Sequence, residues 1–266
     1  MIVSFTGHRL QSIGGFDIPN PTYNYIYRKL KEKLVELKPS KALSGMALGV
    51  DQIAAEICLE LNIPLVAVVP FKGQELKWNK EFQDKYNEIL SKAEVVIVST
   101  GGYSAKKMQI RNEYLVDNCE LLVAVWNGEE KGGTYNCIQY AKKVGREIFT
   151  INLNTTLYRP VGLKELNLIS ESGWKKFPPR LPGQPIFYPV VQEEYATKIA
   201  KDWNMQQDGI GYVVKFQIKS EHLEKYPEQK AGGNKHTEHW IPANELEKFN
   251  DNIVGLIKIC GEYKND

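Results

Sequence analysis

Short apolar runs alternate with longer stretches in which apolar residues recur every three or four positions. Residues 2–6, 41–43, 64–69, 94–98, 121–126 and 146–151 are runs rich in Val, Ile and Leu, as expected of strands. Between them, residues 23–37, 50–61, 79–90, 105–118 and 134–143 carry helical spacing. In the first of these, Ile26, Tyr27, Leu30, Leu34 and Leu37 share one face. The run at residues 64–69 has no polar alternation, so it predicts a strand buried on both faces. Six strands alternating with helices predict an α/β fold, a mostly parallel sheet with helices on both faces.

After residue 152 the pattern changes. Residues 154–185 show little periodicity and are rich in Pro and Gly towards their end. Helices are then expected at residues 195–205, 221–226 and 244–250, and extended segments at 211–218, 237–242 and 253–259. The reading is two domains, 1–155 and a small α+β domain at 156–266.

Polar and glycine-rich stretches follow the strands of the first domain: residues 6–9, 44–49, 99–104 and 128–134. In open α/β sheets ligands bind beyond the carboxyl ends of the strands, where the strand order reverses. The stretch Ser44-Gly45-Met46-Ala47-Leu48-Gly49-Val50-Asp51 lies between a strand and the first turn of a helix. Unpaired N–H groups and the helix dipole make such a turn a natural anion site. The alternative is a tight turn that needs glycine only for geometry.

Each candidate residue has two readings. Arg9 either clamps a phosphate or pairs with a neighbouring loop, and His8 either bonds a ribose or phosphate or closes the strand end. Ser44 and Thr134 offer hydroxyls to phosphate oxygens or cap helices, Thr134 standing where an N-cap is expected. Asp51 contacts a ribose or complements the helix dipole. Lys106, Lys107 and Arg111 form a basic set, with positions 107 and 111 on one face. Trp126 and Tyr135 are candidates to stack a base. His236 and His239 have metal-like spacing, but no third ligand is near in sequence, so no metal site is assigned.

Composition narrows the function classes. With 34 Lys and Arg against 32 Asp and Glu, the net charge of +2 carries no basic surplus for gripping nucleic acid, which makes it an unlikely partner. The four cysteines are dispersed and show no C-x-x-C pair, which predicts buried thiols in a reducing, cytoplasmic setting. No apolar run approaches a membrane span, so no membrane partner is expected.

The motifs Thr6-Gly7-His8-Arg9, Ser44 to Asp51 and Gly132-Gly133-Thr134 resemble the SLOG superfamily, and the stretch from Gly102 to Trp126 resembles its YpsA-like branch. That resemblance implies a Rossmann-like fold and a site for a nucleotide-derived molecule of adenine or ADP-ribose type. It covers residues 1–151. The residues it implies for ligand binding are Gly7, His8, Arg9, Ser44, Gly45, Met46, Gly49, Asp51, Gly101, Gly102, Lys106, Arg111, Gly132, Gly133 and Thr134. Association into a homodimer or higher homo-oligomer is also implied, for which an outward face carrying Met108 and Leu115 is the expected seam. The superfamily's phosphoribohydrolases carry a glutamate after the Gly-Gly-x-Gly-Thr turn, and position 137 here is cysteine. The expected role is therefore a sensor or sequestering sponge, with phage counter-defence as one setting, and no catalytic residue or cofactor is assigned. The alternatives are a nucleoside-phosphate N-glycosidase and, from residues 232–242 and Ile253-Val254-Gly255, which faintly resemble ADP-ribosyltransferase folds, an ADP-ribosyl-handling enzyme.

Overall fold

Runs of valine and leucine without polar alternation become the inner strands of a parallel sheet. A computed structural model describes residues 1–231 and 236–264 and divides the chain into two units, Met1–Leu153 and Asn154–Asp266. In the first, β1 (Ile2–Gly7), α1 (Pro21–Leu37), β2 (Lys41–Ser44), α2 (Val50–Glu60), β3 (Leu65–Val69) and α3 (Lys80–Ser91) follow in turn. They continue as β4 (Glu94–Ile97), α4 (Ala105–Asp117), β5 (Leu121–Trp126), α5 (Gly132–Lys143) and β6 (Glu147–Asn152). The strand order is β4-β3-β2-β1-β5-β6, and every neighbouring pair is parallel. Chain order therefore reverses between β1 and β5, the place where this architecture opens a crevice.

One face of the sheet buries Val3, Phe5 and Val123 under Ile26, Leu30 and Leu34 of α1, Ile53 and Ile57 of α2, and Phe82 and Tyr86 of α3. On the other face α4 and α5 cover Leu43, Val66, Val68 and Leu122. Asn20 caps α1 by accepting from Tyr23 N at 2.9 Å, with Pro21 in the first turn. Ser104 does the same for α4 through Lys107 N.

Two expectations change here. The helix α5 starts at Gly132, with Lys131 as its extended N-cap, so Thr134 is not the cap. Gly132 sits at φ +85, a conformation glycine adopts freely, and this lets the chain turn two residues early. Leu115 does not face outward towards a second copy: it is 1% exposed, packed with Leu43, Val66 and Val68.

In the second unit a three-stranded antiparallel sheet has the order β13-β9-β7. Its elements are β7 (Asn154–Val161), α6 (Leu163–Glu171), β8 (Ile186–Phe187), α7 (Glu193–Ile199), a π-helical turn at Ala200–Asn204, α8 (Met205–Asp208) and β9 (Ile210–Lys219). Then come α9 (Ser220–Leu223), β10 (Glu228–Lys230), β11 (Thr237–His239), β12 (Ile241–Pro242), α10 (Leu246–Asn250) and β13 (Ile253–Lys264). A separate core of Leu157, Ile169, Phe177, Phe187, Phe216 and Phe249 holds it together. The expected irregular stretch after residue 153 is thus corrected to a strand and a helix. Arg159 hides the alternation of β7, because it points inward with Leu157 and Val161 and is itself buried. Its charge is met there by Glu165 of α6, 2.6 Å from Nε.

Replacing Leu115 with Ala is expected to lower unfolding free energy by about 2–5 kcal/mol, the range for emptying a core site. Urea denaturation at two protein concentrations checks this. A loss that vanishes at the lower concentration places Leu115 in an interface between copies instead.

Candidate functional site

The turn after β2 is held from the inside. Ser44 Oγ donates to the Asp51 carbonyl at 2.7 Å and accepts from Met46 N at 3.2 Å. Asp51 Oδ2 accepts from Ala47 N at 3.2 Å and from Arg111 Nη1 at 2.6 Å. Both members of this ion pair are more than nine-tenths buried. Met46 has no exposed surface and sits at φ +58, and its carbonyl receives the amide of Gln74 at 3.0 Å. The Arg111 guanidinium occupies the volume that a Cβ on Gly45 would fill. Gly45 is glycine for that reason, and no positive φ is involved.

This places four sequence candidates differently from the ligand reading. Ser44, Met46, Asp51 and Arg111 are buried, and Ser44 Oγ, Asp51 Oδ2 and Arg111 Nη1 bond one another's residues or the loop backbone, while Arg111 Nε has no partner. Asp51 Oδ2 is thus already shared between Ala47 N and Arg111. Arg111 turns inward from the basic set, while Lys107 bonds the Gly102 carbonyl at 2.6 Å and Lys106 stays exposed.

The turn after β1 is stitched to this loop and to β5. Val50 N donates to the His8 carbonyl at 3.1 Å, and Arg9 bridges Gly49. Cβ atoms on Gly7 or Gly49 would collide with Val50 and with the His8 carbonyl respectively. Across the reversal point, Asn127 N donates to His8 Nε2 at 3.1 Å. An acceptor at Nε2 means a neutral ring with its proton on Nδ1. Burial lowers the His8 pKa, more than Glu129 and Asn127 raise it.

Beside β5, Trp126 and Tyr135 stack on each other, with ring centroids 6.3 Å apart. Gly132 and Gly133 are exposed, the Gly133 carbonyl accepts from Asn112 Nδ2 at 3.2 Å, and Thr134 is buried. Gly101 is exposed at φ +71.

An open cavity of about 840 Å³ lies beyond the ends of β1 to β4. Arg9, Lys72 and Lys77 line it, and no Asp or Glu does. None of these three cations has an ion-pair partner among the described residues. Five aromatic rings border it: Phe16, Phe71, Trp78, Phe82 and Tyr103. Of the sequence candidates only Arg9 and Gly102 reach the lining. The loop at residues 71–79 supplies most of the rest, although in sequence it passes for a strand closure. Its signal was the mixture of aromatic and basic residues directly after a buried strand, Phe71-Lys72 and Lys77-Trp78.

Elsewhere, His239 directs Nδ1 to the Tyr226 carbonyl at 2.5 Å, and His236 stacks on Tyr195 at 4.3 Å. Among the described residues no three His, Cys, Asp or Glu side chains gather to hold a metal. Residues 232–235, which carried part of the faint second resemblance, lie outside the described residues. No described helix is long and apolar enough to cross a membrane.

A family model described as the YspA SLOG family matches residues 3–156, more than half of the chain. The chain belongs to the YspA SLOG family. It is 34% identical over 157 residues to the SPbeta prophage-derived protein YoqJ of Bacillus subtilis, covering 50% of this chain and 91% of YoqJ. A UPF0398 protein of Brevibacillus brevis is 30% identical over 138 residues, covering 48% and 73% respectively. Among solved structures, DNA processing protein A of Streptococcus pneumoniae matches with TM-score 0.43 and 17% identity, covering 56% of this chain and 49% of that one. This chain thus spans about half the length of that structure. The Helicobacter pylori protein of the same name, described for its single-stranded DNA binding mode, matches with TM-score 0.42 and 19% identity, covering 65% and 73%.

Two outcomes are expected for the SLOG unit. Asp51→Asn should destabilise it by about 3–5 kcal/mol, since an unpaired guanidinium stays buried, whereas Asp51→Leu with Arg111→Met should recover most of the loss. Chemical denaturation of the three proteins checks it, and a double variant as unstable as the single one speaks against a cancelled pair. For His8, a folded pKa below 6.5 means the unfolded chain takes up the proton first. The stability from neutral His8 is therefore complete above 6.5 and is lost as pH falls below it. His8→Asn should flatten the fall in stability between pH 6.5 and about 5, read by thermal melts across that range.

Proposed function

We propose that the SLOG unit binds an anionic, nucleotide-derived small molecule of adenine or ADP-ribose type in the cavity beside Arg9. It acts as a sensor or sequestering protein and returns the ligand intact. The observation that carries this reading is the lining: three unpaired cations and five aromatic rings with no carboxylate. Arginine and lysine side chains serve phosphate oxygens, and the rings serve a base. The volume suits a ligand of nucleotide size.

Binding is favoured over N-glycoside hydrolysis by where the acidic groups lie. Hydrolysis needs a group to protonate the leaving base or to activate water. Asp51 is buried against Arg111, and position 137 is a thiol with no exposed surface, pushed up to about 12 by burial. The prophage origin in YoqJ's name supports a phage or mobile element as the setting, where a protein that sequesters a signal has an evident use.

Calorimetry with ADP-ribose and AMP, followed by chromatography of the recovered ligand, tests the reading. Arg9→Ala should weaken binding by about 1.5–3 kcal/mol, the value of a hydrogen-bonded charge pair. Free base or ribose phosphate in the recovered ligand overturns the binding role. Tight binding of a single-stranded DNA oligonucleotide, with none of either nucleotide, assigns the cavity to a different ligand class.

A further inference from the structure

The second unit has a cavity of its own, of about 810 Å³, which the reading of the SLOG unit does not use. Its charges are arranged differently. Arg159, Arg180 and Lys164 line it against Glu165, Asp208 and Glu238. Arg159 is fully engaged: Nε and Nη2 bond Glu165 at 2.6 and 3.1 Å, and Nη1 bonds the Tyr188 carbonyl at 3.3 Å. Arg180 is not. Its Nε donates to the Ile186 carbonyl at 3.0 Å, and its two terminal nitrogens have no acceptor among the described residues. Burial, and Arg159 close by, press the Arg180 pKa below its ordinary value, a repulsion that a bound anion relieves.

Two further groups at the cavity lack partners. The side-chain carbonyl oxygen of Asn204, a lining residue, is closed to solvent and receives no hydrogen bond. Next to it Trp203 is 67% exposed, an open aromatic face on the cavity wall. Both residues lie in the π-helical turn at Ala200–Asn204, and such turns recur at functional sites.

We propose that this cavity is a second ligand site, for a small aromatic anion: a planar ring that carries a single carboxylate or phosphate. The ring stacks on Trp203 and the anion takes the free edge of Arg180. A polyphosphate is disfavoured, because the two cations without an ion-pair partner among the described residues, Arg180 and Lys164, share the lining with Asp208 and Glu238.

The test uses the full chain carrying Arg9→Ala, so that any site in the first unit is already weakened and its fate is read separately. AMP and 4-aminobenzoate are the phosphate and carboxylate probes; adenosine and aniline are their uncharged counterparts. At least one anion is expected to bind and quench tryptophan fluorescence, and its counterpart to bind at least about 10-fold more weakly. Arg180→Gln and Trp203→Ala should each weaken that anion at least about 10-fold by calorimetry. Should Arg180→Gln lower the melting temperature, Arg180→Lys, which keeps the charge but not the two-pronged donor, is read in its place and is expected to weaken binding as well. The proposal is overturned if neither anion binds, or if affinity is unchanged in the Arg180 and Trp203 variants.

Discussion

The edge of the SLOG sheet depends on one buried ion pair. Asp51 opens α2 and Arg111 belongs to α4, sixty residues later. Their contact fastens the first turn of α2 to the middle of α4, two elements that cover opposite faces of the sheet. A carboxylate and a guanidinium are expensive to take out of water, and each alone is untenable there. The pair therefore fixes geometry more than it adds stability. With Arg111 in place, position 45 has no room for a side chain, Asp51 has no freedom to leave Ala47 N, and the turn after β2 has one shape. Through Gly49 and Val50 that shape sets the backbone of His8 and Arg9, and so the direction in which the free arginine leaves the sheet.

Much of this was legible in the sequence. The six strands and five helices of the first unit follow their apolar periods within a residue or two, because the four inner strands are buried, the edge strands β4 and β6 keep β-branched or aromatic runs, and the helices are amphipathic. The glycines of the turns marked real close approaches at Gly7, Gly45 and Gly49. What did not follow was the direction of polar side chains. Asp51 and Arg111 are far apart in sequence, and their partnership is a tertiary fact that spacing cannot carry. The β3–α3 loop escaped for a related reason: its residues are ordinary one by one, and only their convergence around one cavity gives them meaning. In the second unit an inward arginine broke the alternation of β7, and the compensating Glu165 sits beyond the strand's end.

The two cavities share one pattern of charge pairing. Each unit buries one arginine against one carboxylate, Arg111 with Asp51 and Arg159 with Glu165. Each also presents a second arginine that has no such partner, Arg9 in one and Arg180 in the other. Cancelled pairs contribute little field beyond their own surroundings, so the potential in each cavity comes from what is left over. In the first unit the remainder is three cations and no carboxylate. In the second it is Arg180 and Lys164 against Asp208 and Glu238. A ligand with several phosphates therefore suits the first far better than the second.

That division also bears on why Cys137 is tolerated where the superfamily's hydrolases place a carboxylate. Cys137 lies in α5, packed with Val116, Cys119, Leu122 and Ala141 under the sheet. A charged carboxylate in that environment needs a buried cation to offset its desolvation, and the nearest available guanidinium, Arg111, is already committed to Asp51. Keeping both acids means two carboxylates competing for one arginine, which destabilises one of them or leaves it protonated. The thiol avoids the conflict by behaving as a small apolar group. With Arg111 committed to Asp51 and to shaping the loop, a glutamate at position 137 would share that one guanidinium.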